Sequence, residues 1–291
     1  MKLPKIVVIL GPTATGKSDL GVEIARRING EVVSADSRQV YRGMDLGSGK
    51  ITRREMRGVL HHLLDVCSPR RVYNVSDFKK DAEHAIDDIL SRGRVPILVG
   101  GTGFYIQSIV DGILIPEVPP NKKLRDELAG KTLEELQKIL RAKDVRRFAE
   151  IDTKNPVRLI RAIEIAEALG KIPKTKARPK YDCVQIGLTL PHDELSEKIR
   201  ARLDKRIKKG MIKEVEKLHA SGISWKRLEA FGLEYRFIAQ FLQKKITRAE
   251  MLEQIRVKSL QFAKRQMTWF KRDNRVQWFR PGDEAVFEVL K

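Results

Sequence analysis

Apolar positions in the first hundred residues alternate between two rhythms. Lys5 to Leu10 (K-I-V-V-I-L) is an unbroken run ending at Gly11, the pattern of a parallel strand buried on both faces. From about Lys17 to Ile28 the apolar residues recur at helical spacing, and Asn29-Gly30 closes that element. Glu31 to Ser34 predicts a second strand. Val75 to Ser91 predicts a helix with Ser76 as its N-cap, ended by Arg92-Gly93, and Val95 to Val99 predicts a third buried strand. Strand, helix, strand, helix, strand is the alternation that builds a parallel sheet flanked by helices.

The rhythm changes after Gly112. Pro116, Pro119 and Pro120 make a stiff connector, and from Asn121 to about Ala177 only helical patterns follow. These cover Leu124 to Leu128, Thr132 to Leu140 and Asn155 to Leu169. The last has Asn155 as N-cap, Pro156 in the first helical position and Gly170 as its stop. Pro173 to Pro179 is a basic connector. Val184 to Leu190 returns to strand pattern. A long basic helix is predicted from about Asp193 to Ala220, and another from Thr247 to Lys271 with a capping box at Thr247 and Glu250. Val276 to Phe279 predicts an edge strand. The expected organisation is an α/β core over 1–112, an all-helical insertion over 113–180, and a return to the core with basic C-terminal helices over 181–291.

Charge adds a partner class. Lys and Arg number 58 against 38 Asp and Glu, a net charge of +20 over 291 residues. Such a surface attracts polyanions, nucleic acid first among them, because neutralising phosphates releases counterions. A lysine-rich solvated surface is the blander alternative. The cysteines, Cys67 and Cys183, lie far apart and have no metal spacing, which suits a reducing cytoplasmic setting. The N-terminus runs directly into a strand, so neither a signal peptide nor a membrane segment is expected. The chain is expected to act as a monomer.

One motif carries strong chemistry. Gly11-Pro12-Thr13-Ala14-Thr15-Gly16-Lys17-Ser18 fits G-x-x-x-x-G-K-[ST] and sits between a predicted strand and helix. The loop N–H groups and the helix N-terminus gather around an anion, Lys17 reaches phosphate oxygens, and the Ser18 hydroxyl suits Mg²⁺. The core is thus expected to be a P-loop-type parallel sheet. A nucleotide triphosphatase usually adds a strand ending in Asp, but Pro96-Ile97-Leu98-Val99 runs into Gly100-Gly101-Thr102-Gly103. Asp36, at the end of the second strand, is the acidic candidate beside the loop, as general base or indirect Mg²⁺ ligand; turn formation is its alternative. Thr102 suits a hydrogen bond to a phosphate or a base, with a plain strand-to-helix turn as the alternative for its segment. His61 and His62 are adjacent in an extended segment and so point to opposite faces, which favours a structural role over a zinc site.

These residues resemble the tRNA dimethylallyltransferases, also called tRNA isopentenyltransferases. The resemblance rests on the 11–18 loop, S-A-D-S-R-Q-V-Y-R-G-M-D-L-G-S-G-K at 34–50, H-H-L-L-D at 61–65, V-G-G-T-G-F-Y at 99–105 and A-K-R-Q-M-T-W-F at 263–270, in that order. It implies transfer of the dimethylallyl group from dimethylallyl diphosphate to the exocyclic amine of the adenosine just 3′ of the anticodon, releasing pyrophosphate. It also implies roles for particular residues. Asp36 would be the base, Thr102 would contact the target base, and Arg202 would stabilise the leaving group beside the loop, Lys17 and Mg²⁺ on Ser18. Contacts to tRNA would come from Asp36, Ser37, Arg38, Gln39, Thr102, Arg125, Val157, Arg158, Leu159, Ile160 and Arg161. Lys258, Arg265 and Arg272 recur every seven residues, either as RNA contacts or as a solvated helix face. The segment 230–236 departs from the family's Gly-Tyr-rich stretch, and the eukaryotic zinc finger is missing, which implies a bacterial-type enzyme. Two enzymes with the same loop compete with this reading, a small-molecule kinase and a prenyltransferase acting on free adenylate, as does a non-catalytic RNA-binding protein.

Overall fold

A computed structural model describes residues 2–173 and 177–290. The first stretch contains β1 (Lys5–Leu10), α1 (Lys17–Arg27), β2 (Gly30–Ala35), α2 (Arg53–Met56), β3 (His61–His62), α3 (Val75–Ser91), β4 (Val95–Gly100) and α4 (Gly103–Val110). Four helices follow, α5 (Lys122–Ala129), α6 (Leu133–Lys143), α7 (Val145–Glu150) and α8 (Pro156–Leu169). The chain then forms β5 (Asp182–Leu188), α9 (His192–Lys208), α10 (Met211–Ala220), α11 (Trp225–Phe231), α12 (Leu233–Leu242), α13 (Arg248–Phe270) and β6 (Gln277–Phe279).

Among the described residues the strands join in one sheet ordered β3-β2-β4-β1-β5-β6, and every pairing is parallel. Val7 of β1 lies opposite Ile97 of β4 on one side and Val184 of β5 on the other. Ile6, Val8, Ile9, Ile97 and Leu98 are fully buried, as strands covered on both faces require. Each such side chain stabilises the fold by roughly 1.5–3 kcal/mol relative to an exposed one. Parallel pairing also sets the function, because it brings the carboxyl ends of β1, β2, β4 and β5 to one edge of the sheet.

Two compact units result. One combines Met1–Gly112 with Pro179–Lys291, and the other is Ile113–Arg178. The second is built around Leu128, Leu136, Leu140, Leu159 and Ile163. Residues 174–176 of the basic connector lie outside the described part.

Local structure departs from the sequence reading at the α3 cap, in the basic helix and in α11 and α12, whereas the histidine pair is extended as read. The N-cap of α3 is Asn74 rather than Ser76; its Oδ1 accepts from the Ser76 and Asp77 N–H groups, and the Asp77 carboxylate accepts from the Asn74 N–H. Asparagine satisfies two orphan donors from two positions earlier. The single basic helix over Asp193 to Ala220 is two helices, because Gly210 adopts φ +96° between α9 and α10, a conformation that ends a right-handed helix. Helices α11 and α12 occupy residues for which the sequence reading had no element. His61 and His62 form a two-residue edge strand, where Nε2 of His62 lies 2.7 Å from the buried Glu31 carboxylate and Nδ1 of His61 lies 2.9 Å from the Val59 carbonyl. Among the described residues no group of three or more His, Cys, Asp and Glu is placed to hold a metal. Both cysteines are free.

Candidate active site at the carboxyl edge of the sheet

The site begins where β1 stops. Gly11 takes φ +137°, and a Cβ there would lie 2.3 Å from the Leu188 carbonyl oxygen at the end of β5, so only glycine passes. The loop then curls on itself. The Pro12 carbonyl accepts from the buried Thr15 hydroxyl at 2.9 Å and from Lys17 Nζ at 2.6 Å. Gly16 caps α1, with Gly16 and Ser18 exposed at the mouth of the loop. This curl sets a helix N-terminus and the Lys17 amine in one loop, an arrangement that suits an anion.

Asp36 enters from the end of β2. Its Oδ1 accepts from the N–H groups of Arg38 at 2.8 Å and Gln39 at 3.3 Å, so the carboxylate shapes its own turn. That use takes one oxygen and leaves the other for chemistry. The side chains of Arg38 and Gln39 are largely spent on the protein. Arg38 Nε donates to the Phe231 carbonyl at 2.7 Å, while Gln39 accepts from the Ser34 hydroxyl and donates to the Gly49 carbonyl.

Thr102 enters from the end of β4, one residue before α4. Its Oγ1 accepts from the Ser37 N–H at 3.0 Å, so the hydroxyl proton is left to donate elsewhere. Arg202 enters from α9, and its Nη2 donates to the Thr13 hydroxyl at 2.5 Å. Asp36, Thr102, Arg202 and the phosphate loop are thus gathered at one sheet edge.

The electrostatics of the gathered groups are unbalanced. Burial, and then the like charge of Arg202, pull the Lys17 ammonium from its ordinary 10.5 down to about 7, with Asp36 acting in the opposite direction. Burial, and then Arg206, lower Arg202 to about 10, opposed by Glu234 and Asp36. Two crowded cations against one carboxylate make a site that favours a multiply charged anion.

The remaining predicted tRNA contacts lie in the helical unit, apart from the three basic residues at and beyond α13. Arg125 forks onto the buried Glu164 with bonds of 2.9 and 2.8 Å, and Arg161 joins the same carboxylate while donating to the Val118 carbonyl at 2.9 Å. Burial works to raise the Glu164 carboxyl, but Arg125, the Asn121 N–H and Arg161 together override it and hold it at about 2. Arg158 pairs with Asp152 at 3.3 Å. Val157 is 73% exposed, whereas Leu159 is fully buried in the unit's core and Ile160 packs beside it. On α13 the Arg265 guanidinium lies over the Phe262 ring and Lys258 bonds Gln261, and just past the helix end the Arg272 guanidinium lies over the Trp269 ring.

Sequence reasoning missed two features. Glu214 of α10 accepts from the N–H groups of Asp45, Leu46 and Gly47 and from the buried Tyr235 hydroxyl, so it clamps the loop that follows Asp36. Tyr235 and Glu234, which pairs with Arg206, belong to the divergent 230–236 segment, which therefore supports the site from α12. The other is Gln266 of α13, whose amide bonds the Thr13 N–H and the Gly101 carbonyl; its signal is a polar residue in an apolar helical stripe. Among the described residues no helix is long and apolar enough to cross a membrane.

Comparison with known proteins agrees with this geometry. The family model described as IPP transferase matches residues 39–273. A tRNA dimethylallyltransferase of Treponema denticola is 48% identical over 91% of this chain and 91% of its own length. Another, from Syntrophus aciditrophicus, is 42% identical over 99% and 98%. The crystal structure of a tRNA isopentenylpyrophosphate transferase from Bacillus halodurans superposes with TM-score 0.73 and 37% identity, covering 98% of this chain and 93% of that one. With the family model spanning most of the chain and relatives matched nearly end to end, the protein belongs to the IPP transferase family, that of the tRNA dimethylallyltransferases.

Proposed function

We propose that this enzyme transfers a dimethylallyl group from dimethylallyl diphosphate to the exocyclic amine of the adenosine 3′ to the anticodon in tRNA. The observation that carries the reading is the convergence of a phosphate loop and Arg202 on one side of the site with Asp36 and Thr102 on the other. In the reaction the allylic C–O bond breaks and a C–N bond forms. The amine gives up one proton, and pyrophosphate leaves.

Each residue has a task in that balance. The loop N–H groups, Lys17 and Arg202 hold the diphosphate and stabilise the charge that grows as the C–O bond breaks. Asp36 takes the amine proton through its uncommitted oxygen, since an adenine amine is a weak nucleophile until that proton leaves. The Thr102 hydroxyl proton orients the base. The target adenine is turned out of the anticodon loop to reach this edge, as enzymes acting on a base require. The helical unit and the +20 charge supply the tRNA grip.

Mg²⁺ fits the donor set. The exposed Ser18 hydroxyl beside Lys17 offers one hard oxygen, and Mg²⁺ is commonly held by one or two protein oxygens together with phosphates rather than by a protein cage. Bound there, it would neutralise part of the leaving-group charge.

The test is direct. The purified enzyme is incubated with Mg²⁺, dimethylallyl diphosphate and an unmodified tRNA transcript bearing an A-rich anticodon loop, with AMP and ATP as parallel acceptors. Nucleoside mass spectrometry then looks for one added C5H8 on adenosine. Gain on tRNA alone supports the proposal. Gain on free nucleotide alone makes the enzyme an adenylate prenyltransferase, and phosphate transfer from ATP with no prenylation makes it a kinase.

A further inference from the structure

Helix α13 buries one stripe, made of Met251, Ile255, Ser259, Ala263, Gln266 and Phe270. The spacings of four and three are those of a helix face packed on a core. Gln266 is the longest polar side chain in that stripe and is only 6% exposed. A buried primary amide is costly unless both ends are bonded. Both are, and to different loops. Oε1 accepts from the Thr13 N–H at 2.9 Å, and Nε2 donates to the Gly101 carbonyl at 2.8 Å. The partners settle the amide's orientation, since an N–H only donates and a carbonyl only accepts. A Cβ on Gly101 would lie 2.4 Å from Nε2, so the glycine makes room for the amide.

The two loops serve the two halves of the reaction. Thr13 belongs to the phosphate loop and receives Arg202 on its hydroxyl. Gly101 precedes Thr102, whose hydroxyl receives the Ser37 N–H next to Asp36. One amide from a third element therefore ties the leaving-group side to the acceptor side.

We propose that Gln266 is a positioning residue that holds the diphosphate loop and the base-binding loop in register, an inference that rests on the prenyl-transfer reading above. Gln266 touches neither substrate; it acts through Thr13 and Gly101. With the tie cut, the two loops settle independently and the allylic carbon is no longer aligned with the adenine amine. Water then competes for that carbon. In that side reaction the C–O bond to pyrophosphate breaks, a C–O bond to water forms, and one water proton goes to solvent, giving the alcohol and pyrophosphate. The signature is pyrophosphate released in excess of prenyl groups transferred.

The experiment compares the wild-type enzyme with Gln266→Met, which keeps the volume and removes both bonds, and with Gln266→Glu, which keeps the acceptor for Thr13 and loses the donor to Gly101. Pyrophosphate and prenylated adenosine are counted in the same reaction, beside melting temperature and tRNA affinity. The expected result is a transfer kcat lowered about 10- to 100-fold in both variants, since misalignment near 1 Å costs on that order. Pyrophosphate per transfer rises above the wild-type value of one, and tRNA affinity is unchanged. A lowered melting temperature with wild-type kcat per folded molecule and a ratio of one would reduce Gln266 to packing and overturn the proposal. If only Gln266→Met fails to fold, the ratio in Gln266→Glu decides. Failure of both to fold would make Gln266 a stability residue and equally overturn it. A wild-type enzyme that prenylates no tRNA defeats the functional reading itself, an outcome distinct from variants that transfer as wild type does.

Discussion

Arg202, on α9, donates from Nη2 to the hydroxyl of Thr13 in the phosphate loop at 2.5 Å, joining a cation to that loop across 189 positions of sequence. The bond aims a planar donor fork at the space that the diphosphate would occupy. Arg202→Gln should lower single-turnover kcat about 10²- to 10³-fold while tRNA affinity holds, as loss of one transition-state donor does elsewhere. A raised KM for the diphosphate with kcat intact would limit Arg202 to ground-state binding.

Lys17 makes donor binding pH-dependent. In the free enzyme burial and Arg202 hold its amine at about 7, well below its ordinary 10.5. A bound diphosphate favours the charged form, so the complex carries more protons than the free enzyme between those two values. Donor affinity should therefore fall as pH rises from 7 toward 10, with uptake of up to about one proton on binding. Calorimetry at pH 8 in buffers of different ionisation enthalpy measures that uptake. Heats independent of the buffer would mean that Lys17 is already charged.

Asp36 caps its turn through Oδ1, and the duty proposed for it, accepting the substrate proton, falls to the other oxygen, so the two are separable. Asp36→Asn preserves the cap and removes the base. It should lower kcat about 10²- to 10⁴-fold with the melting temperature and tRNA binding unchanged. Asp36→Ala should be equally inactive and, having lost two N–H partners, less stable by about 1 kcal/mol. Wild-type turnover in Asp36→Asn would show that the base lies elsewhere.

Glu164 secures the helical unit. Its side chain is 1% exposed, while Arg125 and Arg161 keep a third or more of theirs in solvent, so water screens part of the attraction. Glu164→Gln should cost about 1–3 kcal/mol in urea unfolding. The folded carboxyl sits at about 2 against an ordinary 4.5. A depressed acid stabilises the fold above its unfolded value, so this contribution is complete above pH 4.5 and lost as pH falls toward 2. The variant and the wild type should converge in stability at the acid end, and a gap that persists at pH 2 would assign the effect to packing.

Much of the core was legible because its signals are local. The β-branched run over Lys5–Leu10 made β1, and G-x-x-x-x-G-K-S between it and α1 made the anion loop. Asp36 was placed correctly by one rule, that residues just beyond a parallel strand face the crevice. The capping pair Thr247 with Glu250 appears as read from the sequence, because a cap needs only residues three apart, and the same spacing caps α6 at Thr132 and Glu135, a pair the sequence reading passed over. Gly210 was the failure of local reading: an isolated glycine in a helical pattern is tolerated in some helices and ends others, and α9 and α10 are separate because packing chose the second.

The sequence by itself determined the strands, the phosphate loop, the caps and the family resemblance, since each depends on neighbours within a few residues or on a motif read in order. Only the tertiary structure decided what these parts face. The order β3-β2-β4-β1-β5-β6 sets the ends of β1, β2 and β4 side by side, which brings Thr102 to Ser37 and leaves Asp36 in reach of Lys17 and Arg202. Gln266 meets Thr13 across 253 positions, and Glu214 meets Leu46 across 168. No periodicity carries such pairings. They form because a buried amide or carboxylate must find partners wherever the apolar faces have packed, and packing is a property of the whole chain.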